Sequence, residues 1–222
     1  MTGAAATRFA FYRPDVVFFR HSIERELAGF FRKTGNLDLA EKKILDVGCG
    51  WGSWLLLFLS WGVRPENLCG IDLLPERVEV ARQRLPKSEI ALGQAEKLPW
   101  PDGSFDIVLQ FTLFSSILPA QAREEAAREI WRVLKTDGHF VSFDFFISNP
   151  TNPNTVGIGK GELRRLFPKA AFEFRRVGLF PPLARRLAPV SISLTQFLEK
   201  TRVLSGHYLA WSIKKQEAGG KL

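Results

Sequence analysis

The chain has 222 residues, of which 45% are hydrophobic and 24% are charged, a composition that excludes a disordered or fibrous protein and fits one ordinary soluble domain. Its apolar runs fall far short of the roughly 20 residues that span a bilayer, no signal-peptide pattern opens it, and its two cysteines, Cys49 and Cys69, lack metal-ligand spacing. We therefore expect a single cytoplasmic domain over residues 1–222, with no metal and no membrane span.

The net charge of +8 is concentrated in the last third of the chain. Residues 1–150 hold 18 lysines and arginines against 19 acidic residues, whereas residues 151–222 hold 13 against 4. A regional positive field can attract phosphates, nucleic acid or the headgroups of a membrane surface. A solvated basic face without a partner explains it equally well.

In chain order, apolar residues at helical spacing first predict an amphipathic helix over residues 15–34, which would cap the main fold. A short strand over residues 43–47 then ends in the glycine-rich turn 48–52, and a helical pattern resumes over residues 53–61. The same reasoning predicts further strands at residues 68–73, 90–92, 105–110 and 139–145, and helices at residues 75–84 and 119–134. Strands that alternate with helices indicate a parallel sheet covered on both faces.

The pattern changes after residue 149. A helix is predicted near residues 161–167, a sixth strand over residues 172–177 and a seventh over residues 207–214. Between these two strands, residues 179–204 are apolar, rich in arginine and interrupted by three prolines, which predicts broken helices in a lid-like insertion.

The turn after the first strand carries the main functional signal. Gly48, Gly50 and Gly52 let the backbone approach a ligand beyond the carboxyl end of the strand. Asp72 ends the next strand, 24 positions after Gly48, where a carboxylate can accept hydrogen bonds from both ribose hydroxyls. This pattern predicts nucleoside binding. Because a dinucleotide site would have its third small residue at Ser53, a nicotinamide oxidoreductase stays open at this point.

Residues 44–143 resemble the class I S-adenosylmethionine-dependent methyltransferases. The matching segments are LDVGCGWG at 45–52, GIDL at 70–73, GQAEKLP at 93–99, DGSFD at 102–106 and RVLKTDG at 132–138. The resemblance implies an α/β, Rossmann-like, doubly wound sheet of seven strands, mostly parallel with an antiparallel last strand and with helices on both faces. It also implies S-adenosyl-L-methionine as the cofactor and S-adenosyl-L-homocysteine as the product.

The resemblance further implies which residues hold the methionine, ribose and part of the adenine. Asp46 and the turn from Gly48 to Gly52, with Cys49 inside it, would hold the methionine end. Asp72 would hold the ribose, and Leu73 would pack on the adenine.

Five more residues complete the cofactor site that the resemblance implies. An Asp usually precedes the pair Ala95 and Glu96 in the family, but here that position is Gln94, whose carbonyl can still accept a bond from the adenine amino group. Gln110 and Phe111 would line the pocket beside the sulfonium, although a core position suits Phe111 equally well.

Few residues qualify as a base. A sulfonium methyl group is already a strong electrophile, so the protein must mainly align the acceptor and exclude water, and a hydroxyl acceptor also needs a base. Since the resemblance sets the fifth and seventh strands side by side, we predict His207 as that base and Asp144 as its orienting partner. His21 is a second candidate base. A structural role for His207 and Tyr208, hydrogen-bonding the loop around Asn149, stays open.

The predicted function is therefore O-directed methyl transfer to a small-molecule acceptor or to a glycan- or lipid-linked one. Phe180 and its apolar neighbours beside Arg185 and Arg186 suit an acceptor that has both apolar and anionic parts. The oligomeric state stays open.

Two alternatives use the same fold. An RNA or DNA methyltransferase would bind phosphates with the basic last third of the chain. That reading is disfavoured, because amino-directed nucleic-acid enzymes carry an Asn/Asp-Pro-Pro-aromatic tetrad after the fourth strand, where this chain has Gln-Phe-Thr-Leu at 110–113. The other alternative is a catalytically silent module that binds S-adenosylmethionine and regulates a partner.

Overall fold

A computed structural model of the chain describes residues 13–35, 38–148 and 152–216. The chain divides into two compact units, a larger one of residues 38–174 and 210–222 and a smaller one of residues 1–37 and 175–209. This division does not test whether residues 1–222 form the single domain that we expect, which stays a prediction. The loop around Asn149 lies outside the described residues.

Five parallel strands form the centre of the larger unit. They are β1 (Ile44–Val47), β2 (Leu68–Asp72), β3 (Glu89–Leu92), β4 (Phe105–Phe111) and β5 (Leu134–Phe145). Strand β1 pairs with both β2 and β4, β2 pairs with β3, and β4 pairs with β5. Strands β2 and β3 are therefore added on one side of β1, and β4 and β5 on the other. This change of direction creates a topological switch point beside β1.

Two more strands complete a seven-stranded sheet of order β3-β2-β1-β4-β5-β7-β6. They are β6 (Glu173–Leu179) and β7 (Ser205–Ile213), and the boundary between the two units falls within both. Just beyond the end of β7, Lys214 exchanges backbone hydrogen bonds with Asp137 and Gly138 in β5, in the antiparallel sense. The predicted Rossmann-like sheet, mostly parallel with an antiparallel last strand, is confirmed.

Four helices connect the strands of the larger unit: α2 (Ser53–Ser60), α3 (Pro75–Arg84), α4 (Ala120–Val133) and α5 (Lys160–Leu166). Crossovers between parallel strands are almost always right-handed. Helices α2 and α3 connect β1 to β2 and β2 to β3, whereas α4 connects β4 to β5 on the other side of β1. Helices α2 and α3 therefore cover one face of the sheet and α4 covers the other. Every residue of β1 and β2 is buried as a result, and both strands are apolar apart from the aspartates near their ends.

The smaller unit is formed by α1 (Pro14–Lys33), α6 (Pro181–Leu187) and α7 (Ile192–Lys200), with the adjoining parts of β6 and β7. Its apolar cluster joins Phe18 of α1 to Leu179, Ala184 and Ala188. The predicted N-terminal helix and the predicted broken helices of residues 179–204 are both present. No helix in the described ranges is long and apolar enough to cross a bilayer.

Candidate cofactor-binding site

A cavity of about 530 Å³ lies at the carboxyl ends of β1, β2, β3 and β4 in the larger unit. Open parallel sheets bind ligands at this edge, next to the switch point. The lining residues come from the last residues of β2 and β4 and from the segments that follow the four strands: Gly48, Ile71, Asp72, Leu73, Leu74, Arg77, Gly93, Gln94, Ala95, Glu96, Phe111, Thr112, Leu113, Ser116 and Ile117.

The turn after β1 folds back onto β2. The amide nitrogens of Gly48 and Cys49 donate to the Ile71 carbonyl at 2.8 and 3.0 Å. Gly50 and Gly52 both have positive φ, 54° and 74°, which L-residues adopt only at a cost. A Cβ atom on Gly52 would lie 2.9 Å from Leu85 Cδ1, whereas a Cβ atom on Gly50 would meet nothing within 4 Å. Packing therefore requires glycine at 52, while Gly50 leaves open space beside the turn.

Asp72 links the turn to the end of β2. Its Oδ2 accepts from the Gly50 amide at 2.9 Å, and its Oδ1 accepts from the Leu74 amide at 3.0 Å. A carboxylate has about four acceptor positions. Asp72 also lines the cavity, so its remaining positions are available to hydroxyl donors of a ligand.

Asp46, the third residue of β1, is a buried carboxyl group that has no hydrogen-bond partner on either oxygen among the described residues. Burial, together with the charge of Asp72, raises the pKa of Asp46 to about 8. An unpaired buried carboxylate is costly, and a cationic partner would relieve that cost. Burial also raises the pKa of Cys49, a free thiol in the same turn.

One wall of the cavity consists of Leu73 and residues 93–96. Leu73 is an exposed apolar side chain, 61% accessible, at the end of β2. Gln94 is exposed, Glu96 is half-buried and Ala95 is buried. An apolar side chain beside polar acceptors suits a flat heterocycle that carries amino groups.

Arg132 of α4 anchors the segment that continues from this wall. It donates to both carboxylate oxygens of Glu129 at 2.7 Å and to the carbonyls of Leu98 and Trp100 at 3.1 and 2.9 Å. A further bond reaches Asp102 at 2.8 Å. Glu129 in turn accepts from the Leu98 amide at 2.8 Å. The two helix residues therefore fix the backbone of residues 98–102 onto α4.

The opposite wall follows β4. Phe111 lines the cavity and also stacks on Trp54, with ring centroids 4.3 Å apart, and its place beside the sulfonium stays a prediction. Thr112 has a positive φ of 60°, and Leu113 lies near Gly48, where a Cβ atom would be 3.0 Å from its Cδ1. Sequence reasoning missed Arg77, the third residue of α3, and the lining residues after β4, which are Thr112, Leu113, Ser116 and Ile117.

Gln110 and Asp144 form a buried network beneath this wall. The Gln110 amide nitrogen donates to Asp144 Oδ2 at 2.9 Å and to Ser142 Oγ at 2.5 Å, and its oxygen accepts from the Leu113 amide at 3.0 Å. The Ser115 amide donates to Asp144 Oδ1 at 3.3 Å. Gln110 is fully buried and is not among the described residues that line the cavity. Its side chain instead holds the start of the loop after β4.

Burial raises the pKa of Asp144 to about 7, although the hydrogen bonds from Ser115 and Gln110 act in the opposite direction. Asp144 belongs to the larger unit and His207 to the smaller one, so each is described with its own neighbours. The pairing of these two residues stays a prediction.

The three histidines have different surroundings. His207 is buried, its ring lies 4.7 Å from that of Phe19 in an edge-on arrangement, and burial lowers its pKa to about 4. His21 is exposed on α1. His139, which the sequence gives no catalytic role, is buried in β5, and burial followed by the charges of Lys42 and Lys215 lowers its pKa.

The fold and the cavity define the class of protein. It is a Rossmann-like domain whose glycine-rich turn and strand-end aspartate face a cavity large enough for a nucleoside. Residues 45–142 match the methyltransferase domain family model. They belong to that family, as a domain of the class I S-adenosylmethionine-dependent type, which uses S-adenosylmethionine as its cofactor.

Curated relatives and solved structures agree with this assignment. The phthiotriol/phenolphthiotriol dimycocerosates methyltransferase of Mycobacterium leprae is 32% identical over 139 residues, which cover 62% of this chain and 50% of the relative. The ubiquinone/menaquinone biosynthesis C-methyltransferase UbiE of Citrifermentans bemidjiense is 29% identical over 144 residues, 62% of this chain and 59% of the relative. The chain thus spans about half the length of the curated relatives that it matches.

A solved S-adenosylmethionine-dependent methyltransferase from Methanosarcina mazei superposes with a TM-score of 0.61 at 19% identity, covering 83% of this chain and 97% of that structure. At this identity the likeness supports the fold.

Proposed function

We propose that the chain transfers a methyl group from S-adenosylmethionine to a hydroxyl group of an apolar small-molecule or lipid-linked acceptor. The observation that carries the proposal is the pair of carboxyl groups at the switch point: Asp46, which has no hydrogen-bond partner in the part of the chain that the structure describes, and Asp72, which has acceptor positions to spare. When bound, S-adenosylmethionine supplies an electrophilic methyl group on a sulfonium centre.

The residues present fit this cofactor. Asp46 would pair with the ammonium of the methionine part, because a buried carboxylate without a hydrogen-bond partner needs a cation. Asp72 would accept from the ribose hydroxyls. The backbone of the turn from Gly48 to Gly52 would leave room for the part of the cofactor that links its ammonium group to its ribose. Leu73 would pack on the adenine, and Gln94 would accept from its amino group.

The acceptor class is inferred from the insertion and from the relatives. In the smaller unit Phe180 is exposed, and Arg185 and Arg186 are exposed on α6, whereas Leu183 and Leu187 pack on the apolar cluster of that unit. Exposed apolar and cationic groups suit an acceptor with apolar and anionic parts. The name of the M. leprae relative denotes a lipid methyltransferase, which supports the same class.

His207 is the base that we propose for a hydroxyl acceptor. Burial lowers its pKa to about 4, so its imidazole is neutral at pH 7 and can accept a proton, as a weaker base than an exposed histidine. The rate constant kcat should therefore be insensitive to this group above about pH 5 and should fall as the pH approaches 4, where the imidazole becomes protonated.

A transfer assay with methyl-labelled S-adenosylmethionine tests the proposal. The purified chain is assayed with long-chain alcohols, phenols, quinols and polyprenyl phosphates, and with RNA for comparison. We expect label in an apolar hydroxyl compound, and His207→Ala should lower kcat about 100-fold or more while the Kd for S-adenosylhomocysteine stays unchanged. His139→Gln is the matched control.

Several outcomes would contradict parts of the proposal. Label on RNA alone would favour a nucleic-acid methyltransferase, and label on carbon would support the chemistry named for the UbiE relative. Binding of S-adenosylhomocysteine without transfer to any acceptor would favour the silent module. A loss of kcat in His21→Ala, but not in His207→Ala, would move the base to α1.

A further inference from the structure

Helix α7 in the smaller unit presents its apolar side outward. Its buried residue is Thr195, which is 0% exposed and whose hydroxyl donates to the Ser191 carbonyl at 2.7 Å. Leu194 and Phe197, three positions apart and so on one side of the helix, are 46% and 64% exposed. A surface helix normally buries its apolar stripe. In α7, Leu198 packs on the apolar cluster of the unit, whereas Leu194 and Phe197 stay exposed and are available to a partner.

Further exposed apolar residues flank the helix. Val190, four positions before Leu194, is 83% exposed, and Val203, shortly after the helix, is 71% exposed. We call this set the α7 apolar surface; it consists of Val190, Ile192, Leu194, Phe197, Val203 and Leu204, all exposed. Single exposed apolar residues are ordinary, but six within 15 positions are a recognised sign of an interaction surface.

The segment that carries this surface is strongly basic. Residues 175–209 contain six arginines and lysines and a single acidic residue, Glu199. Glu199 is already engaged, because its Oε2 accepts from Arg25 at 2.7 Å and its Oε1 accepts from the Gly178 amide at 3.2 Å. Arg186, four positions before Val190, and Lys200, the last residue of α7, are exposed and have no ion pair within the described ranges.

These charges distinguish between possible partners. A second copy of the chain, in a two-fold contact, would bring two basic surfaces together, and like charges repel. A nucleic acid would satisfy the cations, but five of the six apolar side chains are aliphatic, and Phe197 is the single aromatic ring of the surface on which a base could stack. An anionic bilayer matches both features, because apolar side chains enter the acyl boundary while lysines and arginines pair with headgroups.

We propose that the α7 apolar surface, with Arg186 and Lys200 at its margins, docks the protein on an anionic lipid bilayer. The side chains of Leu194 and Phe197 insert below the headgroups, and the two cations contact lipid phosphates. The proposal concerns attachment to the bilayer and holds whether or not the chain transfers a methyl group.

Vesicle co-sedimentation of the full chain tests this proposal. The vesicles are phosphatidylcholine alone and phosphatidylcholine with 30% phosphatidylglycerol, each at low and at high salt. We expect binding to the anionic vesicles, weakened by salt and nearly absent on the neutral vesicles. The variant Leu194→Ser/Phe197→Ser should lower the partition coefficient at least about tenfold. Arg186→Gln and Lys200→Gln should each lower it about fivefold.

The chain offers matched controls in its larger unit. Ile147→Ser removes an apolar side chain that is 57% exposed, and Lys87→Gln removes an exposed cation; both should bind vesicles as wild type does. Because every substituted side chain is exposed, all variants should keep the wild-type Tm and the wild-type Kd for S-adenosylhomocysteine.

Equal binding to neutral vesicles, or full binding by Leu194→Ser/Phe197→Ser, would overturn the proposal. A dimer detected by light scattering that dissociates in that double variant, together with no vesicle binding, would assign the surface to self-association instead.

Discussion

The cavity edge of the larger unit and the exposed side of the smaller unit have opposite chemistry. At the cavity edge, Asp46, Asp72 and Asp144 are all buried, each near the carboxyl end of a different parallel strand. The segment 175–209 has one acidic residue against six basic ones and exposes apolar side chains. Strand ends therefore concentrate carboxyl groups in one region, while helices α6 and α7 present positive and apolar groups in the other.

This difference teaches which ligand each region can hold. Buried acids stabilise a small cationic, hydroxyl-bearing metabolite, since such a ligand replaces lost hydration with direct hydrogen bonds. Exposed cations beside apolar side chains gain from anionic, apolar surfaces. The following substitutions should therefore affect one region and leave the other unchanged.

Asp72→Ala should have the largest effect on cofactor binding. It removes the acceptor of the Gly50 and Leu74 amides together with the predicted ribose contact. The two hydrogen bonds that the ribose hydroxyls would donate to this carboxylate are lost, which should raise the Kd for S-adenosylhomocysteine about 100-fold, measured by calorimetry. Vesicle binding should not change. Asp137→Asn, an exposed acid in β5, serves as the control. A wild-type Kd in Asp72→Ala would show that the acidic edge is not the nucleoside site.

Gly52→Ala should destabilise the fold of the larger unit more than Gly50→Ala does. Both substitutions place a side chain at positive φ, at about 1–2 kcal/mol, but only the new Cβ at position 52 would meet Leu85, at 2.9 Å. Thermal unfolding should show Tm lower by several degrees in Gly50→Ala and lower again in Gly52→Ala. Equal Tm values in the two variants would mean that the packing against Leu85 relaxes without cost.

Asp144→Asn separates two roles of that residue. If Asp144 positions the loop after β4 through Gln110 and Ser115, the amide substitution leaves one of those donors without its acceptor. The KM for S-adenosylmethionine should then rise about three- to tenfold, with a smaller change in kcat. A fall in kcat at unchanged cofactor affinity would instead support the predicted pairing with His207.

Asp46 should make cofactor binding depend on pH. With a pKa of about 8, its carboxyl group is mostly protonated at pH 7, and an arriving ammonium would lower that pKa, so close to one proton should be released on binding. Affinity for S-adenosylhomocysteine should rise with pH up to about 8. Calorimetry in two buffers of different ionisation enthalpy measures the proton count, and Asp46→Asn should abolish the release.

The same group affects the stability of the free protein. The carboxyl group loses its proton near pH 3.8 when unfolded and near 8 when folded, so the folded state holds more protons between these values. The free energy of unfolding contributed by Asp46 therefore falls as the pH rises across that range. The contribution of Asp46 is the difference in the free energy of unfolding between the wild type and Asp46→Asn. If this difference rose with pH instead, a cation would have to lie beside the carboxyl group.

The order of strands and helices could be predicted from the sequence because alternating apolar patterns and turn residues report it directly. The acids at strand ends, Asp46 and Asp72, were predictable for the same reason, since a parallel sheet brings the carboxyl ends of its strands to one edge. Gln110 was different. Its place at a strand end indicated a pocket residue, yet its side chain lies on the same face of the sheet as that of Ser142, with which it is in register and hydrogen-bonded.

The wall after β4 could not be predicted, because residues 112–117 have no periodicity and their path depends on hydrogen bonds to Asp144, 32 positions after Thr112 in the chain. The exposure of α7 was equally hidden. Its sequence has apolar residues at helical spacing, which ordinarily indicates a buried side. The burial of Thr195 and the hydrogen bonds that Glu199 accepts from Arg25 and Gly178 show which side faces the unit.

The anchoring of residues 98–102 by Arg132 and Glu129 affects how fragments of the cofactor should bind. Because this backbone is fixed before any ligand arrives, the neighbouring wall at residues 93–96 has little conformational entropy to lose. An adenosine-like fragment should therefore gain most of its contacts at once. The amide hydrogen of Leu98 should exchange slowly both in the free protein and in the protein with that fragment bound. The methionine half contributes through the charge on Asp46, so inhibitors built from the two halves should respond differently to pH.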